Sequence, residues 1–169
     1  MKLIAYESAD KKELYQMLKE LPEKEWDFEN SIYHANYDEF LKIYNKYLED
    51  EFDTNNPTKR YVFEDNNQYI GYVAIRLSKD PNWLRKGSQI FYQIKKNERG
   101  KGYCNKLIEL AIDKMKEKGF DVVRINCNNE NIPSKKSIIK NGGIVDIKDY
   151  KSNTGISSSY VINIKSKGL

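Results

Sequence analysis

The spacing of hydrophobic positions changes period several times along the chain, and each change marks an element. Residues 2–7 alternate like a short strand, and after Ser8-Ala9-Asp10 the residues Leu14, Met17, Leu18 and Leu21 recur at helical spacing. Residues 22–36 mix charge and aromatics without a period and read as irregular. Phe40, Leu41, Tyr44 and Leu48 then mark a second helix, and Asn55-Asn56-Pro57 breaks the chain. Three β-like runs follow at 60–64, 69–77 and 88–94, the second preceded by the turn-prone Asp65-Asn66-Asn67; together they predict an antiparallel meander.

The clearest helix lies within 101–118, where Cys104, Leu107, Ile108, Ala111 and Met115 fall on one stripe and Gly119 is placed to end it. Residues 120–127 read as a strand with Val123, Ile125 and Cys127 on one face. A short helix over 131–141 is opened by Pro133 and stopped by Gly142-Gly143. Two last strands near 144–150 and 159–164 flank the turn-like Asn153-Thr154-Gly155. This order predicts an α/β (α+β) fold: a mixed, mostly antiparallel twisted sheet of about seven strands with helices on both faces. A length of 169 residues suits one domain, 1–169, with a single core.

Composition removes several chemistries. His34 is the only histidine, so a His-based triad or a His-rich zinc site has little to work with. Cys104 and Cys127, the only cysteines, make a poor disulfide framework and read as buried thiols. No apolar run is long enough to cross a bilayer and the first residues turn polar too soon for a signal peptide, so the expectation is a cytoplasmic protein with no membrane partner. The net charge of +4 conceals a division: residues 1–56 carry seven Lys/Arg against fourteen Asp/Glu, the remainder 22 against 11. An acidic third beside a basic remainder suits a cationic ligand at one part and a polyanion at the other. Lys135, Lys136, Lys140, Lys148, Lys151, Lys165 and Lys167 are scattered and no helix-turn-helix or zinc spacing accompanies them, so nucleic acid is an improbable polyanion.

Candidate chemistry concentrates at Asn97-Glu98-Arg99-Gly100-Lys101-Gly102-Tyr103-Cys104, where a β-like run turns directly into the clearest helix. Small residues let main-chain N–H groups point at an oxyanion, and the helix start adds roughly half a positive charge. Arg99 and Lys101 can supplement those donors. A Walker loop and a dinucleotide fingerprint both fail on glycine spacing.

Arg99-x-x-Gly102-x-Cys104 resembles the Arg/Gln-x-x-Gly-x-Gly/Ala signature of the GNAT N-acetyltransferase superfamily. Ile90-Phe91-Tyr92-Gln93-Ile94 is similar to the strand before that loop. The run from Asn131 through Ser134 and Ser137 to Gly142-Gly143 resembles the family's second cofactor-side helix and its glycine exit. The likeness spans about residues 69–145, the expected cofactor-binding core, and leaves 1–56 as the acceptor side. It implies acetyl-CoA as co-substrate, with pyrophosphate on Arg99, Gly100, Lys101, Gly102, Tyr103 and Cys104. Pantetheine would lie on the strand edge at Tyr92, Gln93 and Ile94, with Asn131 and Ser134 on the cofactor's other side. It further implies a main-chain N–H at Tyr92 that polarises the thioester, and transfer to a primary amine by direct attack in a ternary complex.

Three positions depart from the family pattern: Cys104 stands where Gly or Ala is usual, Ser88 where some members carry a glutamate base, and Ile138 where a tyrosine acid is usual. Proton transfer would then fall to water, to water positioned by Gln89, or to a tyrosine or carboxylate of the N-terminal third. A non-catalytic CoA-binding or nucleic-acid-binding module on the same fold is the alternative. His34 reads as a surface histidine. Tyr33, Tyr37, Tyr44 and Tyr47 read as helix packing or acceptor-pocket wall, and Trp26 and Phe28 as loop anchors or a cation cradle. Cys127 is rejected as a nucleophile. A homodimer paired through the C-terminal strands is a further expectation.

Overall fold

The computed structural model describes residues 1–84 and 87–165, so Lys167 lies outside the described residues. Strand β1 (Lys2–Ala5) leads to helix α1 (Lys11–Glu20), whose start is capped by the Asp10 carboxylate accepting from the Glu13 N–H at 2.9 Å. Helix α2 (Tyr37–Glu49) is opened the same way, by Asn36 accepting from the Glu39 N–H at 2.8 Å. Between them, where the sequence offers no period, the chain forms a hairpin of two-residue strands, β2 (Lys24–Glu25) and β3 (Phe28–Glu29), with Trp26 at a φ of 51° in its turn. Strands of two residues are too short to carry an alternation, which is why residues 22–36 read as irregular.

The expected meander forms as β4 (Thr58–Asp65), β5 (Gln68–Arg76) and β6 (Ile90–Ile94), with a one-turn helix α3 (Pro81–Leu84) after β5. Helix α4 (Tyr103–Glu117), strand β7 (Val122–Asn128), helix α5 (Ile132–Lys140), β8 (Ile144–Ser152) and β9 (Gly155–Asn163) complete the chain. Side chains alternate across the first sheet and separate two cores. Tyr61, Phe63, Val73 and Ile75 face α4 with its buried Leu107, Ile108, Ala111 and Met115. Val62 and Tyr69 join Leu14, Met17, Leu18, Phe40 and Tyr44 from α1 and α2 on the other face.

The class is as expected, but the strands do not make one sheet of seven. Antiparallel ladders join β1-β4-β5-β6 and, separately, β7-β9-β8, with the β2-β3 hairpin apart. At the base of the division, Gln89 donates its N–H to the Arg124 carbonyl at 2.8 Å, and the Arg124 N–H returns to Gln89 Oε1 at 2.7 Å. Ser88 Oγ accepts from the Asn126 N–H at 3.1 Å and donates to the Ile90 carbonyl at 3.3 Å. No ladder joins β6 and β7 beyond these contacts, which leaves a notch between the two sheets.

Candidate active site

The notch exposes a specific set of main-chain groups. The Arg76 N–H meets the Gln89 carbonyl at 2.8 Å and the Lys95 N–H meets the Ile70 carbonyl at 3.0 Å. With the register Gly71 opposite Ile94 and Ile75 opposite Ile90, these bonds direct the main-chain groups of Phe91 and Gln93 to β5. Those of Ile90, Tyr92 and Ile94 therefore face away from β5, into the notch. The Ile90 carbonyl is taken by Ser88 and the Ile94 carbonyl by Arg99 Nε at 3.0 Å. Among the described residues, nothing hydrogen-bonds the N–H of Tyr92.

Beyond β6, the loop to α4 turns through Gly100 at a φ of 77° and Gly102 at 81°, the left-handed region that glycine enters without strain. A Cβ at either position would meet nothing within 4 Å, so this face of the loop is open. The main-chain N–H groups from Gly100 to Asn105 have no acceptor among the described residues, and they cluster at the positive end of a fifteen-residue helix. The two loop cations are engaged elsewhere. Arg99 holds Glu25 of β2 through two bonds of 2.8 Å, and Lys101 pairs with Glu98 at 2.8 Å. Cys104, at the start of α4, packs against the core, and burial raises its thiol pKa while hydrogen bonds with Ser137 and Tyr92 oppose the rise.

A cavity of about 610 Å³ joins the notch to the N-terminal third. Its floor is the face of the first sheet opposite α4, with Arg60, Tyr72, Ala74, Arg76, Phe91 and Gln93 in one layer because their strands place them on one side. The notch wall carries Tyr92, Asn126, Cys127, Asn131 and Ser134, and the outer wall carries Glu25, Asp27, Glu29, Asp50 and Asp53. Arg60 pairs with Asp50 at 2.7 Å and stacks 4.1 Å from the centre of the Tyr47 ring. Asp53 accepts from the Asn55 and Asn56 N–H groups, both at 2.8 Å, and these bonds hold its carboxyl below the usual range.

Of the residues singled out in the sequence, Tyr92, Gln93, Asn131 and Ser134 lie together on the cavity wall, while Ile94 and Arg99 to Cys104 continue the notch edge outside it. The Tyr92 phenol is hydrogen-bonded to Ser134. Burial, then the neighbouring Cys104 thiol, push its pKa well up against the lowering effect of Ser134. Ser88, Gln89 and Ile138 are buried; Gln89 is committed to β7 through its Oε1 and does not line the cavity, so it is not placed to position a water there. His34 is exposed and pairs with Glu23 at 2.6 Å, away from the cavity. Tyr47, Trp26 and Phe28 line it; Tyr44 is buried with its hydroxyl on the Tyr6 carbonyl, and Tyr33 and Tyr37 are not on the wall. Cys127 is on the wall, with burial raising its thiol pKa. Sequence reasoning missed Glu25, Asp27, Arg60, Tyr72 and Arg76; the signal present was an arginine on the alternating face Tyr72, Ala74, Arg76 of an otherwise apolar strand.

The notch between the two sheets thus presents an unpaired N–H at its centre and an open glycine loop at the start of the following helix. The chain belongs to the acetyltransferase (GNAT) family, whose model matches residues 13–138. A search of the curated proteins finds no match. Among solved structures, the chain is similar to a spermidine N-acetyltransferase SpeG chimera from Vibrio cholerae and hSSAT, at 22% identity, with 97% of each chain covered and a TM-score of 0.68. It is similar as well to RimL, a ribosomal L7/L12 alpha-N-protein acetyltransferase in complex with coenzyme A, at 16% identity, with 98% of this chain and 94% of that one covered and a TM-score of 0.70. A third is the microcin C7 self-immunity acetyltransferase MccE in complex with acetyl-CoA and AMP, at 14% identity, covering 90% of this chain and 86% of that one, with a TM-score of 0.62. No helix among the described residues is long and apolar enough to cross a membrane.

Proposed function

We propose that the protein transfers the acetyl group of acetyl-CoA to a primary amine of a small molecule or peptide, by direct attack in a ternary complex. The observation that carries this reading is the N–H of Tyr92, which has no partner among the described residues and opens on a cavity whose far wall is acidic. A thioester carbonyl at that N–H gains a hydrogen bond that strengthens as the oxygen becomes an oxyanion; as the new C–N bond forms and the oxyanion collapses, the C–S bond breaks and CoA leaves as a thiolate that takes its proton from water. The pantetheine chain pairs along Tyr92 to Ile94 as an added strand, and the diphosphate is held by the N–H groups of Gly100 to Asn105. Glu25, Asp27, Glu29, Asp50 and Asp53 make the opposite wall attractive to an ammonium group, which must lose a proton before attack. Among these, Asp27 has neither hydrogen bond nor ion pair with the described residues, so it is the carboxylate open to take that proton directly or through water. Placing amine and thioester together supplies most of the acceleration, and a base adds about 10²–10⁴-fold. Spermidine and the N-terminus of a ribosomal protein differ widely in size, and a cavity of about 610 Å³ with an open mouth does not by itself choose among such amines.

Gly102→Glu tests the cofactor site by placing a carboxylate on the open face of the loop. Its left-handed backbone would strain any side chain, so Gly102→Ala is the control for strain alone. The expected result is that acetyl-CoA raises the melting temperature of wild type and Gly102→Ala but not of Gly102→Glu, with circular dichroism showing all three folded. Equal acetyl-CoA affinity in Gly102→Glu would remove the proposed site.

A further inference from the structure

Of the four described arginines, three are matched to carboxylates: Arg60 to Asp50 at 2.7 Å, Arg99 to Glu25 at 2.8 Å and Arg124 to Asp146 at 2.7 Å. Arg76 is the exception. Its guanidinium lies 4.2 Å from the centre of the Phe91 ring and 5.6 Å from that of Trp83, and it has no hydrogen bond or ion pair among the described residues. Burial, and secondly the charge of Arg60, lower its pKa; no carboxylate acts on it in the opposite sense. A half-buried cation without a counter-charge is an unusual expense for a fold, and aromatic faces satisfy only the flat sides of a guanidinium. Its N–H edge remains open in the cavity, in the geometry that receives a carboxylate or phosphate.

The position is on the acceptor side. Arg76 lies opposite Gln89 at the start of β6, whereas the glycine loop follows the other end of that strand. The cavity carboxylates are largely committed: Glu25 to Arg99, Asp50 to Arg60, Asp53 to two N–H groups and Glu29 to Lys24 at 3.5 Å. Arg76 and Asp27 are left as one open cation and one open anion on the same cavity. We infer that Arg76 anchors an anionic group, a carboxylate or a phosphate, carried by the same molecule as the accepting amine. This rests on the acetyl-transfer reading for the amine and narrows it to dipolar acceptors, away from simple polyamines.

The test uses the full chain, with and without saturating CoA, and reads thermal stabilisation by matched probes. These are O-phosphoethanolamine against ethanolamine, β-alanine against β-alaninamide, and spermidine. The anionic member of at least one pair should reach half-maximal stabilisation at a concentration at least about tenfold below its neutral twin and below spermidine, as expected for a charge-assisted bond. Which pair discriminates distinguishes phosphate from carboxylate. Arg76→Met keeps an unbranched side chain of similar reach without the charge and should erase the difference, while Arg76→Lys should retain part of it; the melting temperature of each ligand-free variant verifies folding. The inference is overturned if twins and spermidine stabilise equally, if no probe stabilises, if Arg76→Met keeps the discrimination, or if it weakens CoA instead. Thiol release from acetyl-CoA is followed in parallel. Discrimination without release from any amine would sink the acetyl-transfer reading and leave the anion site standing.

Discussion

Gly71 shows how little freedom the notch edge has. A Cβ at this position would lie 2.2 Å from the Gln93 carbonyl oxygen and 3.1 Å from Ile94 Cα, both main-chain atoms that cannot turn aside. Gly71→Ala must therefore push β6 from β5, and a loss of about 2 kcal/mol or more is expected in urea unfolding, within the range for overpacked cores. Because the displaced strand carries the Tyr92 N–H, acetyl-CoA affinity should fall in the same variant, whereas Gly100→Ala meets open space and costs only about 1–2 kcal/mol of backbone strain. Unaltered stability of Gly71→Ala would mean that the two strands are less tightly joined than this contact implies. At this scale the glycine loop was legible because its residue types and spacing carry the chemistry locally. Arg76 was not, since only the pairing of β4, β5 and β6 shows that nothing opposes its charge. Nor was the commitment of Arg99 to Glu25, 74 residues away.

Among elements, the decisive feature is where two sheets part. Ser88 stands where some family members carry a glutamate base, and its hydroxyl here serves the fold: it accepts from the Asn126 N–H on β7 and donates to the Ile90 carbonyl on β6. Ser88→Ala should remove both bonds from a buried site and cost about 1–3 kcal/mol in chemical denaturation. A base would lose rate with stability intact; a clamp loses stability first. Preserved stability with a large drop in kcat would reverse this assignment. Helices α1, α2 and α4 were legible from their period, α5 from Pro133 and its glycine exit, and the longer strands from their β-like runs. The division between β6 and β7 was not, because it depends on Ser88 and Gln89 side chains replacing a ladder. The β2-β3 hairpin was hidden by its brevity.

Across the molecule, the acidic N-terminal third and the basic remainder do meet, and the contact is more specific than a charge excess suggests. Arg99 belongs to the loop proposed for the diphosphate, and Glu25 to the wall proposed for the amine, so their two parallel bonds tie the two binding events together. Side-chain exposures of 38% for Arg99 and 23% for Glu25 put the pair in contact with solvent, where such a bridge is worth about 1 kcal/mol or less. A diphosphate can therefore recruit Arg99 at small cost, and that recruitment leaves Glu25 uncompensated beside the cavity just when an ammonium group is needed there. Glu25→Gln separates the two effects. It should tighten acetyl-CoA by at most about fivefold, measured by titration at low salt and fading at high salt, because Arg99 no longer has a competing partner. It should also raise KM for the amine, since the freed carboxylate is gone. If acetyl-CoA binding weakens instead, Glu25 acts by holding Arg99 in place for the diphosphate, and the tie between the two sites is one of positioning rather than exchange.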